Sequence, residues 1–520
     1  MTQELNSFMD KKKVEPHGVE IEANQWSPMN LELFGKSTFI YALGTVCLRV
    51  APFLLIPLYT HSLSLSDFGL VSTLLITIQV MMILMSIGVQ KGFIRFAGEY
   101  DQKNLMGKLI GSMAITMIIG ASVIAGVCLL LLLPFFQSLL HTQDVFDYVM
   151  LTCLTSFVII LYNHMTSYFR VKNEGRKFFI ANVAVLVLLI ATNFIFLRIL
   201  GQGVKGVLVA QIVTYGSLWL FLFAGVVSKT GLGFSLEVTK RLLWFSFPLM
   251  FAMLWDLVTS TSAIYFLGYF YGLEQVAIYS LGMKIAQISG MILILPFQLA
   301  YEPFVYGHLA HPEIRSVISK LLTYLMFGFV LIAFGIVFLS RPLLSIIAPP
   351  AYSSAYTVIF LVLPGIAFLG VYYVAESLLG IREKTPFIGG FVTLSAIGSL
   401  GLNYLLISLW GIYGAIFVHN VTQIFIALVL LVIGMKVFPI PLEGRRLGVA
   451  GALFIFLLLF VFMLHETHHY IYYTVIPAAF CFILGALYVG NFFNEREKAA
   501  IKGFVQGIRS IADRRKLMVG

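Results

Sequence analysis

The sequence predicts an all-α, polytopic membrane protein with about 14 transmembrane helices, and three observations support this fold class. Hydrophobic residues make up 59% of the 520 residues, charged residues only 11%, and the mean hydropathy is +0.94. No water-soluble surface of this size has such a composition. Apolar segments of roughly 18–28 residues, long enough to cross a bilayer, alternate with short polar gaps. Every second gap is rich in Lys and Arg, so that 29 of the 34 Lys and Arg residues fall on one side of the membrane.

The polar breaks divide the chain into its predicted spans. In chain order these are residues 34–59, 67–90, 107–133, 146–168, 178–200, 204–228, 241–267, 275–302, 316–339, 355–379, 387–409, 412–436, 447–464 and 470–491. On the side poor in basic residues only Arg198, Lys205 and Arg341 occur, while Arg49 and Lys284 fall deep within spans. Because short cytoplasmic loops are enriched in Lys and Arg, we expect a multi-pass protein of the inner cell membrane with both termini in the cytoplasm.

The formal net charge of +10 does not indicate nucleic-acid binding. The basic residues are spread through short gaps, as membrane topology requires, so the expected partner is the lipid bilayer and no nucleic acid is expected. Residues 1–33 are polar and contain no apolar run. We therefore expect no cleavable signal peptide, and the first span directs insertion.

The two halves of the chain repeat at an offset of about 208 residues, which places Leu65 on Leu273 and Ile180 on Ile388. Six spans in each half give two lobes of the same orientation, related by a pseudo-two-fold axis along the membrane normal. Chance matches at one offset are the alternative explanation. The expected organisation is a cytoplasmic tail (1–33), an N-lobe of spans one to six (34–228), a cytoplasmic linker (229–240), a C-lobe of spans seven to twelve (241–437), spans thirteen and fourteen (438–491), and a basic amphipathic tail on the membrane surface (492–520).

Arg49 and Asp256 lie mid-span in the first and seventh predicted spans, and Lys284 lies within the eighth. A charge at a helix centre costs roughly 3 kcal/mol to insert, so such residues normally face a water-filled cavity or an oppositely charged partner. Arg49 and Asp256 occupy nearly matched places in the two halves and could face each other across a cavity. An ion pair that only holds helices together is the alternative for Arg49 with Asp256, and for Lys284 with another acid.

Arg95, Glu302 and Glu376 lie near the cytoplasmic ends of spans. If Arg95 joins Arg49 and Lys284 in one cavity, that cavity is cationic and suits an anionic substrate such as a diphosphate. Asp256 and Glu376 are then candidates for binding H⁺ or Na⁺ and coupling an ion gradient to transport. Side chains near span ends can instead extend to the membrane interface, which is the structural alternative for Arg95 and Glu302.

Residues 465–469 contain a literal HExxH motif, but they fall in a short turn between the last two predicted spans. The next acidic residue, Glu495, lies beyond the last span, and a catalytic zinc site needs a third protein ligand. We therefore expect a solvated turn, no metal and no cofactor. With no catalytic constellation and short outward loops, an enzyme is not expected.

The stretch FLLIPLYTHSLSLSDFGLVSTLL followed by SIGVQKGFIRFAGEY, between Arg49 and Glu99, resembles the start of polysaccharide transporters of the oligosaccharide (O-antigen type) flippase family. The segments YFLGYFYGLEQVAIYSLGMKIAQI and NYLLISLWGIYGA are similar to the same family. This family belongs to the multidrug/oligosaccharidyl-lipid/polysaccharide exporter superfamily. Arg49, Arg95 and Lys284 match its basic positions. The chain departs from the pattern at Ala263 and Ile264, where relatives often carry an Asp-Arg pair.

The resemblance implies a transporter that flips a polyprenyl-diphosphate-linked oligosaccharide from the cytoplasmic to the outer leaflet by alternating access, for cell-surface polysaccharide (lipopolysaccharide) biosynthesis. Glycan-assembly proteins are candidate partners. The first alternative is a multidrug or organic-cation antiporter of the same superfamily, which usually has an acidic or aromatic cavity. The second is a membrane-embedded enzyme of glycan assembly.

Overall fold

The computed structural model describes residues 44–140, 144–309, 311–381 and 385–463, and every regular element within these ranges is helical. Twelve helical segments there are long and apolar enough to cross a membrane. They correspond to the second to thirteenth predicted spans, so the predicted all-α, multi-pass class is confirmed. The first span is described only from residue 44, whereas the fourteenth span, the HExxH motif and the amphipathic tail lie outside the described residues.

We number the helices in chain order. They are α1 (44–54), α2 (Ile56–Ser62), α3 (Leu65–Ser86), α4 (Val89–Gln102), α5 (Met106–Leu140), α6 (Val145–Val171), α7 (Gly175–Phe194), α8 (Gly203–Thr230), α9 (Leu236–Thr261), α10 (Ala263–Tyr271), α11 (Leu273–Ser289), α12 (Leu295–Gly307), α13 (Ile314–Ile347), α14 (Ala355–Gly380), α15 (Thr385–Trp410), α16 (Ile412–Val437) and α17 (Gly444–Met463). A π-helical turn follows α7 (Ile195–Ile199), another joins α11 to α12 (Gly290–Ile294), and a 3₁₀ turn precedes α14 (Pro350–Tyr352).

Serine side chains cap the start of two spanning helices, α3 and α9. Ser64 caps α3 by accepting a hydrogen bond from the Asp67 backbone N–H, and its hydroxyl donates to the Asp67 carboxylate at 2.7 Å. Ser235 accepts in the same way from the Val238 N–H at the start of α9. These caps satisfy backbone donors that the first helical turn leaves free, and Asp67 interacts favourably with the helix dipole.

The predicted spans 67–90 and 241–267 are broken where hydropathy shows no interruption. The sequence predicts one span over 67–90, but α3 ends at Ser86 and Ile87 and Gly88 adopt left-handed backbone angles, with φ of 50° and 68°. The chain then turns into α4, a separate helix. The predicted span 241–267 is likewise divided into α9 and α10. At that break the Ser262 hydroxyl accepts a hydrogen bond from the Asn403 side chain on α15 at 3.0 Å.

The helices pack into an extended apolar core, within which α6 packs along α8 and α14 along α16. The two halves of the chain meet chiefly where α3 packs against α11. Gly69 makes this approach possible, because a Cβ atom there would lie only 1.9 Å from the Leu273 carbonyl oxygen. Helix α3 is thereby held beside α11, and both helices line the central cavity described next.

Candidate functional site

A central cavity of about 570 Å³ lies between helices from both halves of the chain. The first half contributes α1, α2, α3, α6, α7 and α8, and the second half contributes α9, α10 and α11. Its lining mixes apolar side chains with polar ones. The polar lining residues are Tyr59, Ser72, Gln79, Asn163, Gln211, Tyr215, Ser260, Thr261, Tyr279, Ser280, Lys284 and Gln287. A polar cavity enclosed by apolar spanning helices indicates a binding or passage site for a hydrophilic group.

Lys284 is the one cationic residue among the described residues that line this cavity. Its side chain is half-buried, and its Nζ lies 5.1 Å from the centre of the Phe68 ring. Within the described part of the chain, it forms no ion pair with a carboxylate. The ring of Phe68, itself fully buried and in edge contact with Tyr352, supplies a favourable electrostatic contact for the ammonium group. Such a cation is suited to receive an anion from outside the protein.

Two buried hydroxyl groups face the same cavity without a hydrogen-bond partner. Ser72 on α3 is 2% exposed and Ser280 on α11 is 3% exposed, and neither Oγ atom has a hydrogen-bond partner among the residues that the structure describes. Because Ser280 precedes Lys284 by four residues on α11, the two side chains lie on the same helix face. Buried polar groups are nearly always satisfied, so these hydroxyls indicate bound water or a bound polar ligand.

A second cavity of about 330 Å³ adjoins the first, with which it shares the lining residues Gln79, Met82, Asn163 and Leu257. We call this space the amide chamber, because the carboxamides of Gln79, Gln90 and Asn163 line it. Gln90, the second residue of α4, is brought to the chamber by the left-handed turn that ends α3. The side-chain amide nitrogen of Gln90 donates hydrogen bonds to the backbone carbonyl oxygen of Asn163 at 3.3 Å and to the Ser167 hydroxyl at 2.6 Å.

The two halves of the chain contact each other at both ends of this cavity system. At the end that includes the basic gaps, the Arg241 guanidinium on α9 donates two hydrogen bonds to the Glu99 carboxylate on α4, at 3.1 and 2.8 Å. The same guanidinium lies 4.3 Å from the centre of the Phe96 ring. Arg241 and, to a smaller extent, Lys103 lower the pKa of Glu99 to about 2 by hydrogen bonding to the charged carboxylate. We call this the basic end.

At the opposite end, Gly69 of α3 packs on the backbone of Leu273, and the rings of Phe68 and Tyr352 meet edge to face with their centres 5.6 Å apart. The Thr60 hydroxyl donates to the Ile347 carbonyl oxygen at 2.5 Å and so joins α2 to the end of α13.

The charged residues predicted from the sequence occupy different surroundings, and only Lys284 lines the central cavity among those whose side chains the structure describes. Arg49 is exposed on α1, next to the lining residue Leu48, and Arg95 is exposed on α4. Glu376 is half-buried on α14. The side chain of Asp256 lies outside the described residues. The roles predicted for Arg49, Arg95, Asp256 and Glu376 therefore stay predictions.

The sequence interpretation did not include the neutral polar residues of the site. Ser72 and Ser280 lie on spanning helices, where a single hydroxyl carries only a weak hydropathy penalty. A signal was present, because carboxamides are expensive in an apolar span unless they find partners. Ile264, at one of the two positions where the chain departs from the flippase pattern, also lines the cavity.

In the described ranges, no group of three or more His, Cys, Asp or Glu side chains is arranged to hold a metal ion.

A family model for polysaccharide biosynthesis proteins matches residues 34–305, just over half of the chain. The chain belongs to this family. A search of curated proteins found no match to this chain.

Solved structures share its fold at low sequence identity. The lipid II flippase MurJ, in an inward closed conformation, has a TM-score of 0.63 at 13% identity, over 90% of this chain and 100% of MurJ. An inward-facing multidrug resistance MATE family transporter of the MOP superfamily has a TM-score of 0.58 at 15% identity, over 80% of this chain and 96% of that chain. A mutant of the Vibrio cholerae MATE transporter VcmN has a TM-score of 0.56 at 18% identity, over 78% of this chain and 96% of that chain. The predicted superfamily fold is thus confirmed.

Proposed function

We propose that this protein is a transporter that flips a polyprenyl-diphosphate-linked oligosaccharide across the membrane by alternating access, for cell-surface polysaccharide biosynthesis. The observation that supports this most directly is Lys284, a cation without an ion-pair partner among the described residues, in a polar cavity between the two halves of the chain. The diphosphate binds there, the sugars occupy the hydrated space, and the prenyl chain stays in lipid.

The chemistry of the cavity favours an anion. A charged side chain in a membrane interior is stabilised when a substrate supplies the opposite charge, and a diphosphate oxygen accepts hydrogen bonds from an ammonium group at low cost. The hydroxyls of Ser72 and Ser280 can donate to further phosphate oxygens. Leaving each such group unsatisfied costs roughly 1–3 kcal/mol, so substrate binding regains part of that free energy.

The comparisons support the proposal at the level of family and fold. The family is named for polysaccharide biosynthesis, and MurJ, which shares the fold, is named a lipid II flippase. The MATE transporters share the fold as well, so fold alone does not choose between a lipid-linked glycan and a drug. Lys284 makes the choice in our proposal, since a cation in the cavity repels organic cations.

The remaining predicted residues take their places in this proposal. Arg49 and Arg95 attract the diphosphate along its route, and Asp256 and Glu376 exchange H⁺ or Na⁺ to drive the cycle. The basic end faces the cytoplasm of an inner membrane, because basic residues concentrate there.

A reconstituted assay tests the proposal. Purified protein in liposomes should expose a polyprenyl-diphosphate-linked oligosaccharide in the far leaflet, measured as the fraction of the lipid that an added glycosidase cleaves. Lys284→Met, which keeps the length and apolar stem but removes the charge, should slow exposure at least tenfold, and Lys284→Arg should retain more activity. Lys205→Met is the matched control, because Lys205 instead pairs with Asp144 and Asp147 away from the cavity.

The alternatives give different results in the same preparation. Exposure at the wild-type rate in Lys284→Met would contradict the cationic site. Uptake of a cationic dye without any exposure of the lipid-linked glycan would support an organic-cation antiporter. A new covalent sugar product would support a glycan-assembly enzyme.

A further inference from the structure

We infer that the amide chamber is a binding subsite for an uncharged, hydroxyl-rich sugar, namely the sugar nearest the diphosphate of the transported lipid. This inference rests on the proposed function and deepens it by assigning a place to the glycan. The diphosphate and the sugar would then occupy adjoining spaces, the central cavity at Lys284 and the chamber at Gln79, Gln90 and Asn163.

The side chains that line the amide chamber have the hydrogen-bonding chemistry of a sugar site. A carboxamide offers both donors and acceptors, which is the pattern needed by sugar hydroxyls that donate and accept at once. The chamber also contains the Ser86 hydroxyl, and all its described lining side chains are uncharged. The remaining walls are Met, Leu and Ile side chains, which can contact the C–H faces of a sugar ring.

Two carboxamides that line the amide chamber have unused hydrogen-bonding capacity among the described residues. The carboxamides of Gln79 and Asn163 have no hydrogen-bond partner within the described ranges, although both line the chamber and the central cavity. Each can therefore bond a ligand in either space. Because such groups are expensive in an apolar membrane interior, a polar occupant is expected.

Two hydrogen bonds hold the side chain of Gln90 in place. The amide nitrogen of Gln90 donates to the backbone carbonyl oxygen of Asn163 and to the Ser167 hydroxyl, and the Arg170 guanidinium donates to the same hydroxyl at 2.9 Å. The side-chain carbonyl oxygen of Gln90 remains available to accept a hydrogen bond from a ligand hydroxyl. A preorganised acceptor loses little side-chain entropy on binding and so favours recognition.

The amide chamber is continuous with the central cavity. The four residues shared by the two cavities make one connected space from Lys284 to Gln90. A sugar attached directly to a diphosphate must lie next to it, and the chamber is the described polar space that adjoins the cavity of Lys284. Its volume of about 330 Å³ is sufficient for one or two sugar rings, by comparison with ordinary small-molecule pockets of about 300–1,000 Å³.

The test is a binding measurement on the full-length protein in nanodiscs with three synthetic probes. They are a polyprenyl diphosphate without sugar, the same lipid bearing a neutral N-acetylhexosamine disaccharide, and a matched lipid whose first sugar is a uronic acid. Gln79→Leu and Asn163→Leu should each raise the Kd for the neutral glycolipid about tenfold, which is several times more than they raise the Kd for the sugar-free lipid. The wild-type protein should bind the acidic glycolipid more weakly than the neutral one.

Two controls make the result interpretable. Gln423→Leu removes the same functional group from α16, outside both cavities, and should leave all three Kd values unchanged. Asn163→Gln retains a carboxamide and should recover most of the affinity lost in Asn163→Leu. Because Gln79 is exposed to the cavities, its replacement leaves the packed core intact.

The outcomes separate this inference from the proposed function. If both lipids bind, Lys284→Met weakens both, and the amide variants change neither, the sugar subsite is wrong and the flippase proposal stands. Equal affinity for acidic and neutral glycolipids would overturn the assignment to uncharged sugars. If the sugar-free lipid binds no better to wild type than to Lys284→Met, the cationic site of the proposed function fails first.

Discussion

The two ends of the cavity system join the same two halves of the chain by different forces. At the basic end, α4 and α9 are joined by an ion pair between exposed side chains, Glu99 and Arg241, and by the Phe96 ring. At the opposite end, α3 and α11 meet at the backbone, where the position of a Gly69 Cβ would be 1.9 Å from the Leu273 carbonyl oxygen. Glycine also lets the start of α4 approach α9, but less closely: a Cβ at Gly88 would lie 2.8 Å from the Ser246 backbone oxygen, and one at Gly92 would lie 2.6 Å from the Ser246 hydroxyl.

This difference indicates which end opens at lower cost. Water and salt can replace an exposed ion pair, which is worth little in stability. Buried backbone and ring contacts have no such substitute, so separating them exposes apolar surface. We therefore expect the basic end to open more readily than the opposite end, and the following tests address that difference.

The largest effect is expected for Gly69→Ala. The added Cβ collides with backbone rather than with a side chain that can rotate, so α3 and α11 must move apart or the protein must lose stability. Overpacking of this kind typically costs about 1–3 kcal/mol, and we expect the upper part of that range. The midpoint of thermal unfolding in detergent measures it.

Gly225→Ala is the control for this substitution, since it adds the same methyl group to the spanning helix α8 where no atom lies within 4 Å. It should leave the midpoint unchanged or raise it slightly, because Ala favours helix more than Gly does. An equal loss in both variants would show that the approach of α3 to α11 is not the cause.

A smaller effect on stability, but a clear one on opening, is expected for Arg241→Gln. The substitution removes both hydrogen bonds to Glu99 and the cation above the Phe96 ring. Spin labels at Gly98 and Glu237 should show a larger population of long distances, with little change in the unfolding midpoint. Arg241→Lys should give an intermediate population, because Lys keeps the charge and loses the planar fork.

Salt should act on the same distance. Raising ionic strength from 0.1 to 1 M shortens the Debye length from about 10 to about 3 Å. The open population of the basic end should rise in the wild type and stay constant in Arg241→Gln. A matched label pair across the opposite end should respond to neither change; a response there would contradict the comparison.

The smallest effect at ordinary pH concerns the titration of Glu99. Its folded-state pKa is lowered from 4.5 to about 2, chiefly by Arg241. The contribution of the ion pair is therefore fully present above about pH 4.5 and is lost as the pH falls from there towards 2. The label distance should be constant from pH 8 to 5 and lengthen below that window, and Glu99→Gln should remove this dependence.

Much of the fold could be predicted from hydropathy. The predicted spans 146–168 and 412–436 correspond to Val145–Val171 and Ile412–Val437, because a bilayer requires a continuous apolar helix of a given length. The breaks at Ile87–Gly88 and at Ser262 could not be predicted in this way. Hydropathy averages side chains over a window and does not register a change of backbone angle.

The candidate site could be predicted only in part. Lys284 was identifiable because a charge within an apolar span is rare and expensive. That Lys284 lines the central cavity, while Arg49 lies beside a lining residue and outside the cavity, depends on how each helix is rotated about its axis. Gln79 and Asn163 were not selected because they carry no charge, and only the structure shows that both line two adjoining cavities.

The sequence by itself determined that this chain is a multi-pass helical membrane protein, where most of its spans lie, and which intramembrane cation to examine. Those properties follow from local composition, since each segment is selected by its own transfer from water to lipid. Only the tertiary structure decided which polar side chains share a cavity and how its two ends are closed. Such facts depend on the rotation and close approach of helices far apart in sequence, as Gly69 on Leu273 and Arg241 on Glu99 show.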